Sequence, residues 1–172
     1  MKRILVLGSG GAGKTTFSQR LGERTGIPVV HLDALFWKPG WTRTPDDEWA
    51  EILRVEVSKP AWIMDGNYGS SRRLRLDAAD TVILLDMPRW LCMWRVLSRT
   101  ARYYGRGRPD MAGGCVEKFD LEFIAWVWTY KNRSRKRVMN DLSTARDKRI
   151  VILRSRADVE NFLKDPYANP AG

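Results

Sequence analysis

The chain has 172 residues, 30 Lys+Arg against 20 Asp+Glu, one His and two Cys, and a formal net charge of +10. That length suits one domain around one hydrophobic core, and 44% apolar with 29% charged residues describes a globular chain, neither disordered nor fibrous. Cys92 and Cys115 stand in no CxxC or metal-ligand spacing, which speaks against a disulfide-framed secreted fold and a Cys/His zinc site.

Arg3 to Leu7 (RILVL) is a short apolar run rich in branched residues and predicts a strand buried on both faces. The opening segment lacks a signal peptide's apolar core, and no later stretch approaches the ~18 apolar residues of a membrane span, so a cytoplasmic protein is expected. A helix is predicted from Lys14, with Phe17 and Leu21 on one face. Pro28 to Leu32 predicts a second strand ending in His31-Leu32-Asp33. Thr44-Pro45-Asp46-Asp47 predicts a helix start: a capping hydroxyl, proline in the first turn, then acids near the positive end of the dipole. Trp49, Ile52, Leu53 and Val57 mark the buried stripe of that helix.

Ala61 to Met64 predicts a third strand closing on Asp65-Gly66, and Thr81 to Leu85 a fourth closing on Asp86. Pro88 opens a helix to about Tyr104, and the glycine- and arginine-rich stretch Gly105 to Gly114 reads as a mobile loop. Asp120 to about Leu142 reads as one long helix, Arg149 to Leu153 as a fifth strand and Ala157 to Leu163 as a last helix. Alternating strands and helices with buried strands mean an α/β domain around a parallel sheet. Its ligand crevice belongs at the carboxyl ends of the strands, where Gly8, Asp33, Asp65 and Asp86 fall.

GSGGAGKT (Gly8, Ser9, Gly10, Gly11, Ala12, Gly13, Lys14 and Thr15, with Thr16 following) matches GxxxxGK[ST] between a strand and a helix. Glycines let successive N–H groups curl toward phosphate oxygens, and the helix dipole adds positive potential there. Lys14 then reaches the β- and γ-phosphates of ATP, and the Thr15 hydroxyl takes a place on Mg²⁺.

On these residues the chain resembles the P-loop kinases of small metabolites, adenylate-kinase-like and shikimate-kinase-like. The stretches HLDALFWKPGW, WIMDGNY, LDMPRWLCMWR and GRPDMAGGCVEKFDLEF are similar to the adenylate-kinase-related DNA topology-modulation proteins. The resemblance implies the P-loop NTPase fold, a five-stranded parallel sheet in the order 2-3-1-4-5 flanked by helices, and a small lid. It implies one kinase-like domain over 1–172, with the lid and substrate region around 102–137. Pro88, Arg95 and Arg99 keep the adenylate-kinase spacing, which implies that Arg95 stacks on adenine and Arg99 contacts ATP phosphates; a solvated basic helix face is the alternative. Asp65 would hold Mg²⁺ through a water, or else cap the turn into Asn67. By likeness to shikimate kinases, Asp33 takes the proton of an acceptor hydroxyl; otherwise it caps the next segment or binds an arginine.

Where adenylate kinases have an arginine for the acceptor phosphate, this chain reads Asn67-Tyr68-Gly69-Ser70-Ser71-Arg72-Arg73, with Arg75 a further candidate. His31 reads as hydrogen-bonded structure. Arg102 to Arg108 and Lys131 to Arg137 would form a metal-free lid, with Arg133 and Arg137 one turn apart and aimed at the phosphates; otherwise both runs are solvated surface. Trp49, Trp62, Trp90, Trp94, Trp126 and Trp128 read as core, while Trp37 and Trp41 either wall a planar substrate or clamp a loop.

These readings predict a Mg·ATP-dependent phosphotransferase acting on a small metabolite or nucleotide. Lys14, Asp33, Arg99, Arg133 and Arg137 would do the chemistry, and Thr15 and Asp65 would hold the metal. The alternative, which the +10 charge favours, is a nucleic-acid-associated NTPase or a nucleotide-sensing regulator. No membrane partner is expected.

Overall fold

Five parallel strands form the centre of the computed structural model, which describes residues 1–107 and 114–168. They are β1 (Arg3–Gly8), β2 (Val29–His31), β5 (Trp62–Asp65), β6 (Thr81–Leu85) and β7 (Arg149–Leu153), in the spatial order β2-β5-β1-β6-β7. Counted along the chain, that is the expected 2-3-1-4-5. The short strands β3 (Trp37–Lys38) and β4 (Thr42–Arg43) form a separate antiparallel hairpin.

Alternation along the central strands sends one set of side chains to each face, and both faces are apolar. Ile4, Val6, Ile63, Ile83, Leu85, Val151 and Leu153 face α1 (Lys14–Thr25) and α8 (Arg156–Lys164) through Phe17, Leu21 and Leu163. Their alternates Leu5, Leu7, Trp62, Met64, Val82 and Leu84 pack on α4 (Arg72–Ala78) and α7 (Ser134–Thr144) through Leu76, Val138 and Leu142. The result is a helix–sheet–helix sandwich with the strand ends aligned. Parallel register sets Val6 opposite Asp65 and Gly8 opposite Leu85, so the residues after β1, β5 and β6 meet along one edge.

Several elements differ from the sequence reading. The segment after β2 turns at once into a short helix, α2 (Leu32–Phe36), so Asp33 lies in a first helical turn and not at a strand end. The helix α3 (Asp46–Ser58) starts where predicted, but Thr44 does not cap it. The Thr44 hydroxyl donates back to the carbonyls of Leu35 and Phe36, at 3.2 and 2.7 Å, and ties the hairpin to α2. The long helix expected from Asp120 breaks into α6 (Leu121–Thr129) and α7. At the break, the Arg135 N–H bonds the Tyr130 carbonyl across a wider turn, and Tyr130 is buried. Of the six tryptophans assigned to the core, Trp49 and Trp62 are buried, but Trp90 and Trp94 on α5 (Arg89–Tyr103) are 71% and 69% exposed, and Trp128 is exposed too. No helix among the described residues is long and apolar enough to cross a membrane.

Candidate active site

Between Gly8 and α1 the chain curls across the carboxyl edge of the sheet, with Gly11 and Gly13 in left-handed conformations at φ +73° and +95°. A Cβ on Gly11 would stand 2.2 Å from the Cys92 carbonyl oxygen, and one on Gly10 would meet Phe123 and Val127 at 2.7 and 2.8 Å. The loop is thus clamped between α5 and α6, and a larger residue would push it off that bed. Lys14 curls back over it, with Nζ donating to the Gly8 and Ser9 carbonyls at 3.0 Å each. Burial lowers the pKa of this ammonium, while the nearby carboxylates of Asp33 and Asp65 pull it up and Arg99 pushes it down.

Asn67, just past β5, fixes the start of the loop. Its Nδ2 donates to the Gly8 carbonyl at 2.7 Å and its Oδ1 accepts from the Gly8 N–H at 3.3 Å. Asp65 is buried, and its Oδ2 lies 2.8 Å from Nδ1 of His31. The parallel β2–β5 register places these two residues side by side. His31 therefore belongs to the site as the orienting partner of Asp65. The strand pattern could have shown this only once the register was known.

Asp33 is exposed, and its Oδ1 accepts the Tyr68 hydroxyl at 2.5 Å. Burial first, and then the Asp33 charge, push the Tyr68 pKa far up, so the phenol stays a donor. Tyr68 holds a left-handed backbone at φ +30°. Arg75 imposes it: its guanidinium donates to the carbonyls of Gly66, Asn67 and Tyr68 at 3.0, 2.8 and 2.8 Å, and the residue is 0% exposed. This arginine is a structural pin rather than a grip on an acceptor anion. Arg72 is bound to Asp141 at 2.6 Å and Arg73 to Asp77 at 3.1 Å.

Beside Asp33 the rings of Phe36, Trp37, Trp49 and Tyr68 form one cluster, with Phe36 4.7 Å from Tyr68 and 5.0 Å from Trp37. The Trp37 and Trp41 rings meet edge to face at 5.5 Å, but their polar edges go different ways. Trp37 contacts the Tyr68 hydroxyl, whereas the Trp41 indole N–H donates to the Val116 carbonyl at 2.6 Å and clamps the 114–116 segment to the hairpin. The hydrogen bonds from Gly40 N–H to the Gly114 carbonyl (3.1 Å) and from Cys115 Sγ to the Lys38 carbonyl (3.4 Å) complete that clamp.

Arg95 and Arg99 sit on the opposite side of the loop. Arg95 Nη1 reaches the Gly11 and Ala12 carbonyls at 3.4 and 3.3 Å. The Arg99 guanidinium lies over the Phe123 ring at 6.0 Å, with Nε 3.9 Å from the buried Glu117 carboxylate. Arg133 and Arg137 are exposed. Arg135, between them, makes a two-pronged ion pair with Asp86, both contacts 2.7 Å. Sequence reasoning passed over Arg135, and the clue was a strand-end acid in need of a buried cation. Arg102 and Arg106 are exposed, and Arg108 lies outside the described residues, as does most of the Gly105–Gly114 loop.

Among the described residues, no cluster of three or more His, Cys, Asp and Glu side chains stands ready to hold a metal ion. Beside the loop stand a threonine hydroxyl, Thr15, the buried carboxylate of Asp65 and the exposed carboxylate of Asp33. Hard oxygen donors few in number suit Mg²⁺, which keeps waters and takes phosphate oxygens as further ligands.

No protein-family model matches this sequence, and no curated protein does. Solved structures do match. A shikimate kinase from Acinetobacter baumannii, in complex with shikimate, superposes with a TM-score of 0.60 at 16% identity, over 96% of this chain and 90% of that one. A shikimate kinase from Bacteroides thetaiotaomicron gives 0.54 at 15% identity, over 95% and 94%. The chain shares their fold. At this identity the likeness speaks for the fold alone, across nearly the whole chain, and the residues of the site must argue the chemistry.

Proposed function

We propose that this chain is a Mg·ATP-dependent phosphotransferase whose acceptor is an alcohol. The observation that carries the reading is the placement of Lys14. Its ammonium rests on the phosphate loop within electrostatic range of two carboxylates of different character, buried Asp65 and exposed Asp33. Two environments of this kind suit two roles.

In this reading, the N–H groups of Ser9 to Lys14 and the first turn of α1 cradle the triphosphate. Lys14 leaves the Gly8 and Ser9 carbonyls for the β- and γ-phosphates, with Arg99 adding positive charge from α5 and Arg95 lying along the nucleotide side. Thr15 and Asp65 would hold Mg²⁺, which when bound neutralises charge on the transferring phosphoryl group. His31 keeps the Asp65 carboxylate oriented. The acceptor hydroxyl bonds to Asp33, its oxygen attacks the terminal phosphorus, the bond to the ADP oxygen breaks, and the hydroxyl proton passes to the Asp33 carboxylate. Arg133 and Arg137, exposed at the N-terminal end of α7, would close over the phosphates as a lid, within a single domain.

A phosphate acceptor fits less well. Arg72, Arg73 and Arg75, the cations on the acceptor side, are each engaged by internal partners. The adenylate-kinase likeness then covers the nucleotide half, through Pro88, Arg95 and Arg99, and the shikimate-kinase likeness covers the acceptor half.

The test is ADP release from Mg·ATP against panels of small alcohols, nucleoside monophosphates and DNA. Stimulation by an alcohol, lost in Asp33→Asn while ATP affinity is kept, is expected. Stimulation by DNA alone, with a steep salt dependence, would replace this reading with the nucleic-acid NTPase. Lys14→Ala is expected to lose activity in a folded protein, and full activity there would remove the site.

A further inference from the structure

The outer faces of α5 and α6 carry an apolar surface that the phosphotransfer reading does not use. On α5, the exposed positions Trp90, Trp94, Leu97 and Ala101 recur at helical spacing along one stripe. On α6, Leu121, Ala125 and Trp128 do the same, with Leu121 70% exposed. The two stripes join: Trp90 and Trp128 meet edge to face at 4.8 Å. The start of α5 lies beside the end of α6, and Arg99 lies over Phe123 further along, so the helices run antiparallel and the stripes extend together.

An apolar patch of this size stands at the upper end of what a monomer leaves in water, where such patches are often functional. Three partly or largely exposed indoles and two leucines amount to roughly 600 Å², close to the ~800 Å² that each partner gives to a stable interface.

We infer that this face is the interface of a homodimer, two α5–α6 pairs packed across a two-fold axis. The stripe positions themselves are uncharged, and charge stands at the margin, with both signs present in Arg89, Arg102 and Glu122. That is the anatomy of a protein interface, an apolar centre with a polar rim. A strand of nucleic acid would want cations interleaved along its stacking rings; here Arg89 stacks on Trp128 at 5.1 Å at one end of the patch, and leucines and alanines fill the stripe positions beyond it. A two-fold axis also pairs one copy's stripe with an identical stripe, so no second shape is required of the partner. The inner side of α5 carries Cys92 against the phosphate loop, and Arg95 and Arg99 beside it. Dimerisation would therefore brace the helix on which the loop rests.

The experiment is sedimentation velocity on the full chain over a dilution series, read with tryptophan emission. A species of twice 19.8 kDa is expected, dissociating on dilution with a red shift as Trp90 and Trp94 enter water. Trp90→Ser with Trp94→Ser is expected to weaken the dimer more than about tenfold, since indoles dominate such interfaces. Leu97→Arg, at an exposed position, should do the same independently with an unchanged circular dichroism spectrum. A monomer at every concentration overturns the inference. So does a dimer indifferent to these substitutions, or a monomer that binds single-stranded oligonucleotide or anionic vesicles through Trp90 and Trp94.

Discussion

Asn67 bonds both backbone polar groups of Gly8, the carbonyl at 2.7 Å and the N–H at 3.3 Å. A side chain from the turn after β5 thus sets where the phosphate loop begins. Asn67→Ala should cost about 1–3 kcal/mol in denaturant unfolding, because the Gly8 groups lose their partner. It should also weaken ATP binding measured by calorimetry. Asn67→Asp should be worse for ATP, since it cannot donate to the carbonyl and sets a negative charge beside the phosphates.

Arg75 supports the same turn from beneath. Its burial depresses the guanidinium pKa to about 9, and three carbonyl acceptors still hold it charged at neutral pH. Arg75→Met leaves those carbonyls unmet and should destabilise the fold by about 3–5 kcal/mol, since three buried acceptors lose a charged donor together. An equal loss of alcohol specificity in a stable Arg75→Lys variant, without loss of stability, would contradict its role as a pin.

Tyr68→Phe removes the hydroxyl that holds Asp33 at 2.5 Å. The ring packing with Phe36 and Trp49 survives, so the melting temperature should hardly move. Turnover with the alcohol should fall about tenfold, from a misoriented base, with ATP affinity unchanged. Because the Tyr68 pKa is pushed far up, wild type should show no alkaline limb from this phenol, and pH–rate profiles check that.

Lys14 gives a pH signature of its own. Burial lowers its pKa from the free value of 10.5, so the unliganded protein loses this charge at lower pH than a free lysine would. ATP affinity should therefore fall on the alkaline side below 10.5, and Lys14→Arg should remove that limb. The stability sign is opposite. Between the folded and unfolded pKa values the unfolded chain binds more protons at this residue, so its contribution to stability rises with pH there. Urea unfolding at several alkaline pH values reads it.

The sandwich and its phosphate loop were legible because each rests on local pattern. RILVL and TVILL announce buried strands by continuous apolar runs, and GSGGAGKT carries its own conformational demand for glycine. Asp33 stands out as a residue but not as an element, since His31-Leu32-Asp33 reads as strand until α2 packs Leu32 against Trp49 and Leu53. The long helix failed at Tyr130 to Arg133 because the demand that breaks it is distant: Tyr130 goes into the protein and Arg135 goes to Asp86.

The amino-acid order by itself determined the five central strands, which loop can hold a phosphate, and which acids and arginines are candidates for the site. Tertiary structure alone decided their partners: His31 for Asp65, Tyr68 for Asp33, Asn67 for Gly8, Arg135 for Asp86. It also decided that Trp90 and Trp94 face outward. The reason is physical. Local pattern reports the shape a segment prefers, whereas a contact between residues 34 to 59 positions apart exists only once the sheet has set its register.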